Sequence, residues 1–408
     1  MKVLHAISTL SPEMGGPSVA VMGMAKAVAA LGHDVAIHTT DYLTPTAVAR
    51  AEQAIGSGRL RVFVHRVLPG GSFALQASFG LWRALREQIP HIDVVHLHSL
   101  YLFHDWVTWR ECRRHQVPYI LRPHGSLDPF MYRRHRWRKA IVEQLFQDQV
   151  TRDATLIHYT SEPERDRARP FVFGRPGIVV PLGVDLDRFK AMPTASRFRA
   201  RHPELQGRRI VLFLGRLSFK KGLELLIPAF AGAVAQQADL HLVLAGPADD
   251  YGGRARALID RYALSDRTTL TGTLPPDEVV EAYAAADAFV LPSRNENFGI
   301  AAAEAMAAGV PTILSNEVQI ADHAAREGAC RVVPLEPVAW THAILSVLAD
   351  GKDMAARARA YIASRYSWES IGRQLVDAYC EAVELRRAAA KEITRSQSLD
   401  NLSPWKRF

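Results

Sequence analysis

Two glutamates, Glu296 and Glu304, flank a polar turn in the second half of the chain and are well placed for chemistry. The turn, Asn297-Phe298-Gly299, follows an apolar run and opens a small-residue helical pattern. Free backbone N–H groups and the positive end of a helix dipole form an anion site, but two carboxylates would repel a bare phosphate. The residues therefore predict a ligand that combines anionic groups with hydroxyls, as a nucleotide sugar does.

An earlier loop, Gly215–Gly222, carries two cations that could neutralise a diphosphate. Arg216 offers a planar fork to phosphate oxygens, and Lys221 offers a point charge. Surface solvation explains these two side chains equally well when they are taken alone. Near the N-terminus, Gly15 and Gly16 would let backbone N–H groups approach a phosphate, but there is no GxGxxG pattern and a plain turn is the alternative.

Two histidines follow strand-like runs, at the place where open α/β sheets bind ligands. We interpret His98 as a structural residue. His124 lies between Pro123 and Gly125 on a polar loop and is a candidate site residue, with a structural role as the alternative.

A basic segment with aromatic neighbours lies just beyond this loop. Its candidate residues for membrane or acceptor contact are Arg133, Arg134, Arg136, Trp137 and Arg138. At an anionic lipid surface aromatic rings sit at the headgroup level while Lys and Arg meet phosphates. A solvated helix face is an equally good interpretation, and nucleic acid is disfavoured because the chain lacks a recognisable nucleic-acid-binding motif.

The size and charge of the chain set limits on its class. With 408 residues it exceeds the size at which one core usually keeps growing, which predicts two domains. Its 48% apolar and 23% charged residues are typical of a globular protein and exclude wholesale disorder. The first 200 residues hold 26 Lys and Arg against 17 Asp and Glu, a balance of +9, so the remaining residues carry −1 of the total of +8. The basic first half predicts an anionic partner.

Cysteine usage and hydropathy indicate the compartment. The three cysteines have no metal-ligand or CxxC spacing, so a disulfide framework is not expected and a reducing cytoplasm fits best. The first residues lack a signal-peptide pattern, and no run approaches the roughly 20 apolar residues of a membrane span. We therefore expect a cytoplasmic protein whose membrane contact, if any, is peripheral.

Strand-like apolar runs alternate with helical patterns in two series, seven strands and then six, which predicts an α/β fold with two parallel sheets. The predicted segments are an N-terminal domain at 1–185, a linker at 186–207, a second domain at 208–365, a C-terminal helix at 366–393 and a tail at 394–408.

The glutamate turn and the helix after it, which continues to Pro311, resemble the paired-glutamate motif of retaining glycosyltransferases of the GT-B fold, in the large family of group 1 glycosyl transferases. Gly215-Arg216 with Lys221-Gly222 resembles the diphosphate-binding loop of that family. The segment 181–185 is similar to its interdomain connector, and 123–129 to a subset associated with exopolysaccharide and O-antigen assembly. The resemblance implies two Rossmann-like domains facing a central cleft, with acceptor binding by the domain at 1–185 and nucleotide-sugar binding by the domain at 208–365. It also implies a C-terminal helix that packs back on the N-terminal domain.

The resemblance also assigns roles in the second domain. Arg216 and Lys221 would hold the donor diphosphate, and Glu304 would hold the ribose hydroxyls. Glu296 would meet the transferred sugar. The backbone N–H groups expected at the sugar or phosphate are those of Asn297, Phe298 and Gly299.

Three further roles are implied by the same resemblance. Gly16 would close over the diphosphate, His124 would contact the sugar near the reacting carbon, and Leu274 would neighbour the base. The implied reaction transfers a hexose with retention from a nucleoside-diphosphate sugar to a saccharide acceptor that is lipid-linked, in cell-surface polysaccharide synthesis, including lipopolysaccharide biosynthesis. No cofactor and no metal are expected.

Other functions are compatible with the same residues. A nucleotide-sugar epimerase of related fold is one alternative, and a non-catalytic nucleotide-sugar-binding partner of an assembly complex is another. A phosphorylase-like enzyme would need a pyridoxal-phosphate lysine, for which the sequence shows no motif.

Overall fold

The computed structural model describes residues 1–11, 16–43, 58–70, 75–129, 132 and 136–401, with side chains through 392. The chain forms two compact units, unit 1 (Met1–Pro181 with Trp368–Phe408) and unit 2 (Leu182–Ser367). Three residues singled out from the sequence, Gly15, Arg133 and Arg134, lie outside the described residues, as does the end of the tail from residue 402.

Unit 1 contains a parallel sheet in the order β3-β2-β1-β4-β5-β6-β7, seven strands within the described residues. The strands are β1 Lys2–Thr9, β2 Asp34–Thr40, β3 Leu60–His65, β4 Val94–His98, β5 Tyr119–Arg122, β6 Leu156–Tyr159 and β7 Gly177–Val179. The central strands are buried almost without interruption, since helices cover both faces of a parallel sheet. This burial explains why these strands appear in the sequence as continuous apolar runs.

The described α-helices of unit 1 are Gly16–Ala30, Phe79–Gln88, Phe103–His115, Arg136–Val142, Asp148–Arg152, Glu162–Ala168 and Trp368–Asn401. Between the fourth and fifth of these lies a π-helical turn, Glu143–Gln147. Among the described residues, no helix is both long and apolar enough to cross a membrane.

The C-terminal helix packs against the first helix of unit 1, as the family resemblance implies. A Cβ atom added to Gly23 would lie 2.0 Å from the ring of Trp368, so only glycine leaves room for this indole. Gly372 similarly approaches Ala27, with 3.1 Å between the Cβ positions. The helix runs to Asn401 instead of ending at residue 393, because the apolar 3.6-residue pattern that marks a packed helix fades there while the backbone stays helical.

Unit 2 repeats the same architecture with a parallel sheet in the order β10-β9-β8-β11-β12-β13. Its strands are β8 Arg209–Leu214, β9 Leu240–Ala245, β10 Thr268–Gly272, β11 Ala288–Leu291, β12 Thr312–Ser315 and β13 Arg331–Val333. Its described α-helices are Ala195–Arg201, Leu223–Gln236, Gly252–Arg261, Pro276–Ala285, Ile300–Ala308, Ala321–Arg326, Pro337–Asp350 and Lys352–Arg365. In both units the strand order reverses beside the first strand, which is the switch point where doubly wound sheets bind ligands.

The segment 186–207, expected as a linker, is folded as part of unit 2. It contains the helix Ala195–Arg201, whose Phe198 is fully buried, and Leu205 is fully buried as well. The polar, arginine-rich composition of the segment hides these two apolar anchors, which explains why the pattern indicates an irregular connection.

Candidate active site

The strands on either side of the switch point in unit 2, β8 and β11, bring together the two loops that the sequence singles out. Gly222 has φ of +70°, and a Cβ there would lie 2.0 Å from the carbonyl oxygen of Pro292. The backbone N–H of Arg294 donates to the carbonyl of Lys220 across 2.8 Å. Glycine is therefore required where the Arg/Lys loop crosses the start of the glutamate loop.

Five charged side chains form what we term the charge cluster: Arg216, Lys220, Lys221, Asp249 and Glu296. Lys221 and Glu296 form a direct ion pair through Nζ and Oε2, and their side chains are only 14% and 18% exposed. Arg216 Nη1 lies 3.1 Å from Asp249 Oδ2, and both of these side chains are about 40% exposed. Arg216, Lys220 and Lys221 thus place three cations at the ends of the loops, where an anionic ligand could take them as partners.

The charge cluster determines how its own members titrate. Burial alone would raise the pKa of Glu296, but the positive charges of Lys221 and Lys220 outweigh it, and the pKa is lowered from 4.5. Burial lowers the pKa of Lys220, and Glu296 partly opposes that effect. Glu296 is therefore a carboxylate at neutral pH, suited to accept hydrogen bonds from hydroxyl groups.

Glu304 has a different environment on the helix Ile300–Ala308. Its Oε1 accepts from Arg188 Nη1 at 3.1 Å, and its Oε2 accepts from the Tyr283 hydroxyl at 3.2 Å. Burial raises the pKa of Glu304 above 4.5, although the Arg188 charge opposes that shift. The two glutamates thus differ, because Glu296 is held ionised by lysines while Glu304 is shifted towards its neutral form.

The turn between the glutamates contains two backbone donors that are not used by other described residues. Phe298 is buried and its ring packs edge-on against Tyr366 with 5.4 Å between centroids, while Gly299 adopts φ of +84° at the start of the helix. The N–H groups of Phe298 and Gly299 make no hydrogen bond to other described residues. Asn297 Oδ1 accepts from Gln319 Nε2 at 3.5 Å.

Two further predicted donor residues belong to other elements of the chain. Leu274 is half-buried after β10, the edge strand, which is two strands from β8. Gly16 belongs to unit 1, where it is exposed at the first described residue of its helix. Ser18 fastens that helix to β1, because its hydroxyl donates to the carbonyl of Ser11 at 2.9 Å.

Unit 1 contains a buried network of histidines, and one chain within it ends at a backbone carbonyl. His158 Nε2 donates to the Val180 carbonyl at 2.7 Å, so in a neutral ring Nδ1 is the acceptor. That acceptor is 3.1 Å from His96 Nε2, and His96 Nδ1 is 2.9 Å from the hydroxyl of Tyr379. The protons are therefore fixed: His96 donates to His158, and Tyr379 on the C-terminal helix donates to His96.

A second histidine chain reaches the candidate residue His124. His5 Nδ1 is 2.9 Å from His98 Nε2, and His98 Nδ1 is 3.2 Å from His124 Nε2. His98 is fully buried, as its interpretation as a structural residue requires, and His124 is half-buried with φ of +50°. Glu164 supports the strained loop by accepting from the backbone N–H of Gly125 at 3.2 Å.

Every ring in these chains is held neutral. Burial, together with the positive charge of Arg122, lowers the pKa of His5 to about 3 and the pKa values of His98 and His124 well below 6.5. Nitrogens of His5, His96 and His98 lie within 4.8 Å of one another, a spacing that could hold a metal ion. No carboxylate belongs to this described set, and the buried Arg122 repels a cation, so the residues suit hydrogen bonding better than metal coordination.

The described part of the basic segment separates into paired and exposed residues. Arg136 Nη1 is 2.6 Å from Glu143 Oε2, which commits this arginine to an ion pair. Trp137 is 66% exposed, and the guanidinium of Arg138 lies 5.1 Å from its ring centroid. Ile141 and Leu145 on the following turns are also exposed, so an apolar stripe faces solvent beside basic residues.

Sequence reasoning missed the partners of the predicted residues. Arg188 and Tyr283 hold Glu304, and Asp249 holds Arg216, yet each comes from a distant part of the chain with no motif of its own. For the histidines a signal was available, because a histidine such as His5 or His96 in an otherwise apolar strand requires a hydrogen-bond partner.

Comparisons with known proteins agree with this geometry. A family model described as Glycosyltransferase Family 4 matches residues 14–188, and one described as Glycosyl transferases group 1 matches residues 195–375. The GDP-mannose:cellobiosyl-diphosphopolyprenol alpha-mannosyltransferase of Xanthomonas oryzae pv. oryzae (strain PXO99A) is 27% identical over 400 residues, covering 95% of this chain and 98% of its own. The D-inositol 3-phosphate glycosyltransferase of Nocardia farcinica (strain IFM 10152) is 29% identical over 313 residues, covering 73% of this chain and 68% of its own.

Among solved structures, Anabaena HepE in complex with UDP and glucose matches with a TM-score of 0.75 at 21% identity, covering 93% of this chain and 99% of its own. At that identity the match shows the fold alone. The fold is that of the GT-B glycosyltransferases, with a match to the Glycosyltransferase Family 4 model in the first half of the chain and to the Glycosyl transferases group 1 model in the second half.

Proposed function

We propose that this enzyme transfers a hexose from a nucleoside-diphosphate sugar to a lipid-linked saccharide, with retention of anomeric configuration and without a metal or other cofactor. The observation that carries the proposal is the charge cluster at the switch point of unit 2, which places three cations on the loops beside the turn whose Phe298 and Gly299 N–H groups make no hydrogen bond to other described residues. The alpha-mannosyltransferase relative, whose name specifies a polyprenol-linked acceptor, supports the choice of acceptor.

Donor binding would rearrange the ion pair between Lys221 and Glu296. The diphosphate would take Lys221 and Arg216 as partners, because two phosphate charges attract these cations more strongly than one carboxylate does. Glu296 would then accept hydrogen bonds from the sugar hydroxyls, and Glu304 from the ribose.

The chemistry follows from where charge develops. Breaking the bond between the anomeric carbon and the phosphate oxygen leaves an extra negative charge on the diphosphate and an oxocarbenium-like sugar. Lys221, Arg216 and the N–H groups at the turn would stabilise the diphosphate. The leaving phosphate oxygen would accept the proton of the acceptor hydroxyl as that hydroxyl attacks the same face.

A substitution of Lys221 tests the donor site. We expect Lys221→Met to lower kcat/KM by about 10²–10³, because it removes a charge that stabilises the leaving group. Lys190→Met is the matched control, since Lys190 pairs with Asp187 on an exposed surface where the two side chains are 74% and 80% exposed. Equal activity of the two variants would refute the role of the charge cluster.

The donor and the stereochemistry need separate measurements. A thermal-shift screen against UDP-, GDP- and ADP-sugars would identify the base, because a ligand that binds the native state raises the unfolding temperature. Incubation of the identified donor with a lipid-linked saccharide, followed by NMR of the product, should show the anomeric configuration of the donor. An inverted product would contradict retention, and an epimerised nucleotide sugar without acceptor would indicate the epimerase alternative.

We further propose that the enzyme is cytoplasmic and binds the inner face of the membrane through the apolar stripe Trp137, Ile141 and Leu145. Their exposure beside Arg138 fits an anionic lipid surface. Trp137→Ser should reduce co-sedimentation with vesicles that contain anionic lipid, whereas Phe79→Ser, at a site 62% exposed elsewhere on unit 1, should not. Equal binding to neutral vesicles would contradict the electrostatic part of this proposal.

A further inference from the structure

The hydrogen bonds in the chain His5–His98–His124 all run from donor to acceptor in one direction, because each neutral ring holds a single N–H. If His5 donates to His98, then His98 Nδ1 donates to His124 Nε2, and His124 carries its own proton on Nδ1. If the protons run the other way, His124 donates to His98 and presents a lone pair on Nδ1. The buried end of the chain decides between these two arrangements.

That buried end is His5 Nε2, which has no hydrogen-bond partner among the described residues. In the first arrangement this atom is a lone pair, and in the second it is an N–H without an acceptor. Buried N–H groups without acceptors are rarer in native proteins than buried acceptors without donors. The first arrangement is therefore favoured.

The surroundings keep the chain neutral and in place. Arg122 is buried beside the three rings, and its charge opposes a second proton on any of them. His104 Nε2 donates to the backbone carbonyl of His98 at 2.7 Å, which helps to fix the end of β4. His124 Nδ1 makes no hydrogen bond to other described residues, so its proton is available to a ligand.

We propose that His5 and His98 are positioning residues, whose hydrogen bonds fix His124 in the tautomer that carries its proton on Nδ1. His124 then acts towards the sugar as a neutral hydrogen-bond donor and not as a base. This inference rests on the proposed function and takes the sugar contact of His124 from the family resemblance, but the direction of the hydrogen bonds is a property of the free protein.

The free protein provides the first test. Ring nitrogen shifts of protein labelled with ¹⁵N-histidine distinguish the two tautomers, and we expect His124 to carry its proton on Nδ1. In His5→Leu the donor to His98 is lost, and the ring of His124 should become a mixture of tautomers. His5→Asn places an amide N–H close to the position of Nδ1 and should restore the Nδ1–H form.

Kinetics with the identified donor provides the second test. His5→Leu should lower kcat at least tenfold with little change in the KM for the donor, and His5→Asn should recover most of that loss. A proton on Nε2 of His124 in the wild type, or an unchanged tautomer in His5→Leu, would overturn the inference. If His5→Leu and His5→Asn both lose thermal stability while the tautomer of His124 is unchanged, the histidines have only a packing role. That result would also overturn the inference.

The outcomes separate this inference from the proposed function. If the wild type transfers no sugar from any nucleotide donor, the proposed function fails while the tautomer measurement still decides the direction of the chain. Titration with cobalt(II) tests the metal alternative at His5, His96 and His98. Stoichiometric binding with tetrahedral absorption bands that His98→Ala abolishes would replace the hydrogen-bonded chain with a metal site.

Discussion

The charge cluster of unit 2 and the histidine chains of unit 1 occupy corresponding places beside the switch points of two similar sheets, yet their electrostatics are opposite. In unit 2, Lys221 and Glu296 are buried as charges that neutralise each other. In unit 1, burial and Arg122 keep the rings uncharged. The same backbone topology therefore supports a site prepared for an anion in one unit and a network of neutral hydrogen bonds in the other, and side chains alone make the difference.

Acid should produce the largest difference between the two units, because it should destabilise unit 1 before unit 2. The pKa values of the fully buried His5, His96, His98 and His158 are lowered in the folded state, so the unfolded chain takes up protons first as pH falls below 6.5. Each can remove up to about 1.4 kcal/mol of stability per pH unit over that range. The ion pair in unit 2 behaves differently, because the pKa of Glu296 is lowered from 4.5 and its contribution is lost only below that value.

Hydrogen exchange measured at pH 7, 6 and 5, corrected for intrinsic rates, would check this expectation. Backbone amides of β1 and β4 should lose protection by pH 5, while those of β8 and β11 keep theirs. A parallel loss in both units would show that the neutral histidines do not control the acid stability of unit 1.

The next largest effect is expected from glycine substitutions in unit 2. Gly222 and Gly207 both have positive φ, +70° and +68°, but a Cβ at Gly222 strikes the Pro292 carbonyl while a Cβ at Gly207 meets nothing within 4 Å. Gly207→Ala should cost about 1–2 kcal/mol from backbone strain. Gly222→Ala should cost about 1–3 kcal/mol more from the clash and should also weaken donor binding. Denaturant titration would detect the difference in the free energy of unfolding. Equal losses would mean that the loop at Gly222 moves away from Pro292 without a cost in stability.

A smaller loss is expected in unit 1 from Tyr379→Phe. The substitution removes the hydroxyl that donates to His96 Nδ1 and leaves a buried acceptor unpaired, at a cost of about 1–3 kcal/mol. Tyr366→Phe is a comparable change in unit 2, where the hydroxyl lies 3.0 Å from that of Tyr361. Thermal unfolding of the two variants should show the larger shift for Tyr379→Phe. An unchanged unfolding temperature of Tyr379→Phe would mean that His96 and His158 change tautomer without a cost in stability.

The smallest effect concerns Glu304. Arg188→Met removes the charge that opposes the burial of this carboxylate, so its pKa should rise further. A protonated Glu304 accepts hydrogen bonds from the ribose less well, and the KM for the donor should increase roughly three- to tenfold, more at pH 6 than at pH 8. An increase independent of pH would indicate that Arg188 contacts the donor directly.

The fold was predictable from sequence where burial produces a recognisable pattern of apolar residues. Continuous apolar runs such as Ala288–Leu291 marked strands covered on both faces, and the described strands of both sheets were anticipated with small differences at their ends. The packed segment around Phe198 was not anticipated, because one buried aromatic among arginines leaves no periodic signal.

The candidate site was predictable where its residues follow strands directly, as with Lys221 and Glu296. Their ion pair, and the hold of Arg188 on Glu304, arise from residues up to 116 positions apart, and local sequence does not specify such contacts. The histidine chains were hidden for a further reason. His5 and His96 lie in strands that are still recognisable from their apolar residues. The pattern therefore predicts the strands but not the hydrogen bonds of the two rings.

The position of Trp368 has a consequence for how the chain is made. Unit 2 is continuous from Leu182 to Ser367, so all of its residues are available before the ribosome has added the C-terminal helix. Unit 1 begins first in the sequence, but the groove at Gly23 and the acceptor nitrogen of His96 obtain their partners only after Trp368 and Tyr379 emerge. During synthesis the first half of the chain must therefore wait for the last residues to complete its core, while the second half can already be folded.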